Sequence, residues 1–397
     1  MTRTVAIIGG SIGGLFAAAT LRNAGWNVKV FERSSVALAG RGAGIVTHPQ
    51  LLDALTEVGA DTSDLGVLVY DRVAFDRDGA PCATLPYPQI VTSWDRMHQT
   101  LRRLIPDASY HLGESLVSYS EDAEGVSLTF ASGAEERVDM LVGADGFRSA
   151  VRGQLLPEVQ PQYAGYVVWR ALAPEAALSP QIRERLFNVF GLFLPTGTQI
   201  VGYPIAGENN DLRPGHRRYN FVWYVPCAAD DLDAMLTDAS GKRHGISIPP
   251  PLVRDEVVAE MEAKAEQVLP DVFRHVLRQS ERPFFTPIYD HLSPVFARGR
   301  VALAGDAACV ARPHVGMGVT KAAQDALALA RHVSGDVEAG LQAYSEERAR
   351  ASRAAYARSQ MLGQFMAQAP EHGDPMDGRH NPHMAEIMRQ TAVADFD

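Results

Sequence analysis

The stretch Thr4-Val-Ala-Ile-Ile-Gly-Gly-Ser-Ile-Gly-Gly-Leu15 decides how the rest of the sequence is read. Thr4 to Ile8 is a largely β-branched apolar run, the pattern of a strand buried on both faces of a parallel sheet. Gly9 to Gly14 reads as a tight turn opening a helix, which continues through an alanine-rich stretch from Leu15 to Asn23 and ends at Gly25. Val28 to Glu32 reads as the next strand. In such a β–turn–α–β unit the glycines let backbone approach a pyrophosphate, and the helix N-terminus offers it unpaired N–H groups. An acidic residue about 20 residues further on accepts hydrogen bonds from a ribose, and Glu32 stands at that place. Ser11 replaces the second glycine of G-x-G-x-x-G and is small enough to keep the approach. Gly9, Ser11, Ile12, Gly14 and Glu32 are therefore candidate dinucleotide contacts. The fingerprint alone does not separate FAD from NAD.

The composition sets the frame for this unit. With 397 residues, 46% hydrophobic and 21% charged, the chain has a large core and is neither disordered nor collagen-like. A net charge of −10 argues against nucleic acid or an anionic membrane as partner. Cys82, Cys227 and Cys309 form no CxxC pair, which speaks for a reducing compartment and against a zinc site, so no metal is expected. Glycines interrupt the apolar N-terminal run, and no run reaches the roughly 18 apolar residues of a membrane span. A soluble, cytoplasmic protein is expected.

Short β-like runs separated by turns fill 67–91 and 163–225, where VVWRA, FGLFL, QIVGYPI and YNFVWYV predict an antiparallel sheet. A helix from Asp95 to Leu104 and a strand from Met140 to Val142 lie between. Ala228 to Leu277 reads as mostly helical, with a proline-rich break at 241–251. A strand at Val301 to Ala304, a helix from about Val319 to His332 and a long helix from about Leu341 to Met366 follow. The last 30 or so residues show no periodicity and read as a loosely held tail. The expected fold class is α/β. A Rossmann-like domain (1–66, 94–160 and 283–335) is interleaved with an antiparallel-sheet substrate domain (67–93 and 161–282), and 336–397 forms C-terminal helix and tail.

Two further turns follow strands. LVGADGFRSAVR, residues 141–152, carries Asp145, whose plain role would be to cap the next helix. VALAGDAACVARPHVGMG, residues 301–318, carries Asp306 and a glycine loop leading into a helix N-terminus. In this order the three motifs resemble the class A flavoprotein aromatic hydroxylases, the fold family of p-hydroxybenzoate hydroxylase. GGSIGG with Glu32-Arg33 resembles the family's adenosine-binding fingerprint, DGFRSAVR its DGxxSxxR element, and GDAA with the later GMG its GD element. RGAGI, Arg41 to Ile45, is similar to the segment beside the flavin ring, and SWDRMHQTL to the R-x-x-L helix, through Arg96.

The resemblance implies FAD, held by Gly9, Ser11, Ile12, Gly14, Glu32, Arg33, Arg41, Gly44, Arg96, Asp145, Asp306, Gly316, Met317 and Gly318. It implies NADH or NADPH as a transient electron donor, since no second glycine-rich unit exists. The reaction implied is hydroxylation of a small aromatic ring with O2 through a flavin hydroperoxide; a homodimer is compatible with it. YAGYVVWR, GYPIAGENN and YNFVWY look most like the dihydroxypyridine-hydroxylating branch, which implies a hydroxylated N-heterocycle or phenol. Three positions depart from the wider family: Cys309 where His is common, Met317 where Gln is frequent, and Val319-Thr320 in place of Asn.

Such a reaction needs an electron-rich ring, so a base near the ring hydroxyl is expected. His314, in the loop that the resemblance sets beside flavin and substrate, is the first candidate, His48 the second and Tyr203 the third. Tyr203, Tyr219 and Trp223 are candidates to line the ring pocket, and Arg170 a candidate pocket charge. Cys309 reads as a small buried thiol rather than a flavin attachment. A flavin dehydrogenase without oxygen insertion and a non-catalytic flavin-binding protein are the alternatives.

Overall fold

In the computed structural model of the chain, residues 2–38, 44–367, 379 and 381–393 are described. The strand Thr4–Ile8 sits inside a six-stranded sheet, parallel to Asn27–Glu32 on one side and to Met140–Gly143 on the other. Val301–Leu303 continues the parallel order, Tyr110–Leu112 closes the far edge, and Ala297–Arg298 adds one antiparallel strand. Val5, Ala6 and Ile7 are fully buried, as is Phe16 on the helix Ile12–Asn23 packed over them. Val5, Ile7 and Phe16 each contribute about 1.5–3 kcal/mol of burial. The C-terminal ends of Thr4–Ile8, Met140–Gly143 and Val301–Leu303 run into Gly9, Asp145 and Gly305-Asp306. The three sequence motifs therefore meet at one sheet edge, where parallel α/β sheets bind ligands.

The second sheet has nine strands and is not purely antiparallel, because Val189–Phe193 pairs in parallel with Val67–Phe75. Gly44–Val46 and Phe284–Leu292 hydrogen-bond into this second sheet, although the division above puts both segments with the first. They are the points where the chain passes between the sheets. A three-stranded sheet, Leu116–Asp122, Gly125–Phe130 and Glu135–Val138, was not expected. Its outward positions are mostly polar, with Val117 an exception, and its buried residues alternate with them, so it lacks the apolar run that marks a strand buried on both faces.

Side chains on neighbouring strands of the second sheet alternate between two faces. Val167, Trp169, Tyr219, Phe221 and Trp223 pack with Phe273 and other helical residues of 229–278 in one core, while Tyr166, Val168, Val222, Tyr224, Tyr203 and Phe190 form the other. Tyr219 and Trp223 thus point away from the face on which Tyr203 lies.

The C-terminal tail corrects a second expectation. Met384–Gln390 is a helix whose Met384, Ile387 and Met388 are buried in the core that contains Tyr203 and Tyr224. Arg72, itself fully buried, donates to the backbone oxygens of Met388 (2.8 Å), Thr391 and Ala392 (3.0 Å) and to Gln89 Oε1. Burial lowers the guanidinium's pKa to about 10, still far above neutral pH. A buried cation held by carbonyls loses its compensation if they leave, so the segment is bound firmly. No described helix is long and apolar enough to cross a membrane.

Candidate active site

Three connected cavities run along the edge where the motifs meet. The first, about 370 Å³, is lined by Gly9, Ser11, Glu32, Arg33, Asp145 and Arg148 among others. The second, about 220 Å³, shares Ser11, Ala144 and Gly146 with it and adds Ile12, Trp94, Gly305 and Asp306. The third, about 240 Å³, shares Ile45, Asp306, Gly318 and Val319 with the second and extends to Arg170, Tyr203, Tyr224, His314, Gly316 and Met317. Together they make an elongated trough ending in a pocket against the second sheet.

The trough suits an anionic dinucleotide in several respects. Gly9 has φ +108°, and a Cβ there would stand 2.3 Å from the Ala144 carbonyl oxygen. The helix Ile12–Asn23 starts at Ser11 with no side-chain cap and no acidic residue in its first turn; the helix Gly318–His332 starts in the same way at Met317. Both N-termini leave donors and a positive dipole end toward the trough. Glu32 is buried, its Oε2 accepting from Gly10 N at 2.8 Å and its Oε1 from Ser34 N at 2.9 Å. Gly10, which the sequence reading passed over, is held from the other side. Its carbonyl accepts from the Tyr110 hydroxyl (2.9 Å) and pairs with His98 Nε2 (3.2 Å).

Asp145 combines both roles weighed for it. Its Oδ2 accepts from Ala150 N at 2.6 Å, capping the next helix, while its Oδ1 is buried without a partner among the described residues. Desolvation raises its pKa, the mark of a carboxylate short of donors. Asp306 faces the trough from a turn pinned from behind. Lys321 Nζ donates to Gly305 O (2.8 Å), and Asp325 accepts from Gly305 N (3.0 Å), Lys321 Nζ (3.3 Å) and Arg348 Nε (2.8 Å). Low-dielectric surroundings raise the Asp306 carboxyl's pKa against the pull of Lys321.

Not every expected contact reaches the trough. Gly14 is a packing glycine, since a Cβ there would meet Gly9 O at 1.8 Å. Arg96 is ion-paired with Asp64 and lines none of the three cavities. Arg41 lies outside the described residues. Gly44 lines the pocket, and a Cβ there would press on the Tyr203 ring at 2.5 Å.

The histidines are not placed as bases. His314 is buried, its Nδ1 3.0 Å from Gln199 Oε1 and its Nε2 2.9 Å from the Tyr166 hydroxyl, with its ring stacked on Tyr224 at 4.3 Å. Opposite the Gln199 oxygen, Nδ1 carries the proton and Nε2 accepts from Tyr166, so neither nitrogen is left for a ligand. Desolvation and then the nearby Arg312 push its pKa down to about 3. His48 is buried with Nδ1 on Thr320 Oγ1 (2.7 Å); burial lowers its pKa to about 4, and it lines no part of the pocket. Thr391 and Ala392 of the docked C-terminal segment do line the pocket, and Ala392 N donates to His314 O (3.0 Å). Sequence reasoning missed them along with Tyr224.

Comparison with known proteins follows this geometry. Residues 279–359 match a family model described as FAD binding domain, and residues 163–290 one described as FAD binding domain-like. A 2,6-dihydroxypyridine 3-monooxygenase from Paenarthrobacter nicotinovorans is 34% identical over 331 residues, covering 83% of this chain and 82% of the relative. The chain belongs to the FAD-dependent aromatic-ring monooxygenases. The solved structure of 2,6-dihydroxypyridine-3-hydroxylase from Arthrobacter nicotinovorans superposes with a TM-score of 0.87 at 32% identity, covering 95% of this chain and 96% of that one. A 6-hydroxynicotinate 3-monooxygenase from Bordetella bronchiseptica is 26% identical over 367 residues, 88% of each chain. As a member of this family the chain is an FAD-dependent flavoprotein using NAD(P)H and O2 on an aromatic substrate, as the motif order implied.

Proposed function

We propose that this monooxygenase hydroxylates a hydroxylated N-heteroaromatic ring of the dihydroxypyridine class. The observation that carries the reading is the pocket closing the trough. It is small, walled by the second sheet and the Gly316–Gly318 loop, and polar at one side through Arg170, Tyr203 and Tyr224. The named activity of the relative at 34% identity supports the same substrate class.

FAD, when bound, supplies the redox chemistry that activates oxygen. Gly9, Ser11, Ile12, Glu32, Arg33 and Asp145 would hold its adenosine and pyrophosphate side. Asp306 and the Gly316-Met317-Gly318 loop would hold the part beside the pocket. The pocket residues orient the ring, and Phe190, Val201, Val222 and Met317 keep it dry. One ring is hydroxylated per NAD(P)H oxidised and per O2 consumed, the second oxygen atom leaving as water. The two sheets act in this reading as interwoven domains, one holding the cofactor and the other the ring. The same reading places the enzyme in the cytoplasm, supported by three cysteines that form no disulfide, and allows a homodimer, which sedimentation velocity would weigh directly.

The test is a panel of hydroxypyridines, phenols and benzoates added to the purified holoenzyme. Stimulated NAD(P)H oxidation with one labelled oxygen atom from 18O2 in the product is the expected result. Oxidised substrate without label would favour the dehydrogenase reading, and no response to any ring would end both.

A further inference from the structure

We propose that the C-terminal segment, residues 384–392, completes the ring pocket as a specificity wall, and that the Thr391 hydroxyl on it selects rings carrying a hydrogen-bonding group (a ring nitrogen, hydroxyl or oxo group) on the edge that meets it. This rests on the hydroxylation reading above and concerns which rings the pocket accepts. The segment reaches the pocket from far along the chain. Met384, Ile387 and Met388 are buried in the core that contains Tyr203 and Tyr224, and just beyond them Thr391 and Ala392 line the pocket. The other lining residues come from the second sheet and from residues 306–319.

Hydrogen-bond accounting on these two residues singles out one atom. Thr391 N donates to Ile387 O at 2.8 Å, and Ala392 N donates to His314 O at 3.0 Å. The Thr391 oxygen accepts from Arg72, and the Ala392 oxygen accepts from Arg72 at 3.0 Å and from Gln89 Nε2 at 3.1 Å. Every backbone donor and acceptor of the pair is thus taken. The Thr391 hydroxyl is not: the residue is 2% exposed, and its Oγ1 is buried with no partner among the described residues. A buried hydroxyl left unpaired is destabilising, and one on a pocket wall is relieved when a ligand supplies the missing partner.

The backbone that carries this hydroxyl is fixed in place. Ala392 has φ +53°, a left-handed conformation that a non-glycine residue keeps only when its surroundings impose it. Arg72, Gln89 and the His314 carbonyl impose it through the bonds above. The segment also lies directly against the glycine loop, where a Cβ on Gly316 would stand 2.9 Å from the Ala392 Cβ. A hydroxyl fixed in this way discriminates by chemistry more than by size. It can donate to a ring nitrogen or oxo oxygen, or accept from a ring hydroxyl, whereas a ring presenting C–H or methyl leaves it unpaired. An apolar side chain in its place would separate such rings only weakly.

The experiment uses wild-type holoenzyme, Thr391→Val and Thr391→Ser with pairs of rings matched in shape: hydroxypyridines against phenols lacking the ring nitrogen, and dihydroxy rings against their methyl-for-hydroxyl analogues. Flavin difference spectra give ring affinity, NAD(P)H oxidation gives kcat and KM, and flavin content reports whether each variant has folded. Wild type should prefer the member that carries the polar group. Thr391→Val should narrow that preference by roughly 3- to 10-fold in at least one pair, the loss of one neutral hydrogen bond, with the change in Kd and KM rather than kcat. Thr391→Ser should restore it. Without a ring, Thr391→Val should melt at or above wild type, because it removes an unpaired buried hydroxyl at nearly constant shape. A clear fall in that Tm means that the hydroxyl already has a protein partner, and overturns the proposal. So does a Thr391→Val enzyme that keeps the wild-type preference in every pair or weakens both members of each pair alike; the hydroxylation reading then stands. A wild-type enzyme stimulated by no ring overturns that reading, and the proposal with it.

Discussion

Asp325→Asn tests how the turn before Asp306 is held. Asp325 is fully buried and ties three donors: Gly305 N, Lys321 Nζ and Arg348 Nε, at 3.0, 3.3 and 2.8 Å. Burial alone would raise its pKa, but Lys321 and Arg348 hold it below the usual range. Asn removes one charge, leaves two buried cations without compensation, and turns an NH2 toward donors. Removing one partner of a buried ion pair costs about 3–5 kcal/mol. At about 1.2 °C per kcal/mol for a chain of this size, Tm should fall by roughly 4–6 °C. The sign with pH follows from the depressed pKa. The ionised carboxylate's stabilisation is fully present above the ordinary carboxylate value near 4 and is lost as pH falls through the lower folded value. The Tm gap between wild type and variant should hold from pH 7 to about 4.5 and narrow only below that. Calorimetry over that range, with flavin absorbance at each point, makes the measurement. FAD should also dissociate more readily, because the turn presenting Asp306 is loosened. A variant melting within about 1 °C of wild type at pH 7 with full flavin refutes the reasoning.

Gly9→Ala should yield a folded, colourless protein, because φ +108° and a contact of 2.3 Å with Ala144 O leave no room for a methyl at the turn; the ratio of flavin to protein absorbance reports it. Arg72→Gln should unseat the C-terminal segment, since carbonyls that lose a buried donor cost about 1–3 kcal/mol each. Hydrogen exchange should rise across 384–392 and KM should increase with flavin content unchanged. Thiol titration of the native protein should find one fast-reacting group, Cys82, which is exposed. Cys227 and Cys309 are buried, desolvation raises the Cys309 thiol to about 11, and both should react only in denaturant.

The cofactor edge was legible because glycines and carboxylates at strand ends carry their geometry in the sequence. Gly9, Asp145 and Asp306 follow strand ends in turns, as the motifs predict. The pocket face was not. In Tyr219-Asn-Phe-Val-Trp-Tyr-Val225 almost every residue is apolar, because helices cover one face of the sheet while the pocket and C-terminal segment cover the other. Alternation then leaves no trace in hydrophobicity, and Trp223 looked as good a pocket residue as Tyr224. The docked tail did leave a signal: Met384, Ile387 and Met388 stand at i, i+3 and i+4, a short helical stripe. The histidines show a different limit. Histidine is the right chemistry for the task, but that Gln199 and Tyr166 would occupy both nitrogens of His314 depends on two separate strands.

The shifts of the buried histidines and of the pocket tyrosines share an arginine contribution. Burial is the larger cause of both low histidine pKa values, but Arg72 beside His48 and Arg312 beside His314 push in the same direction. Arg170 likewise pulls the Tyr203 and Tyr224 pKa values down against burial. A positive potential disfavours an imidazolium and favours a phenolate by the same interaction. Of these arginines, Arg170 and Arg312 line the pocket, and Arg312 is paired with Asp290. His48 and His314, the residues that suggested a base, are packed groups held neutral by burial first and by a neighbouring arginine second.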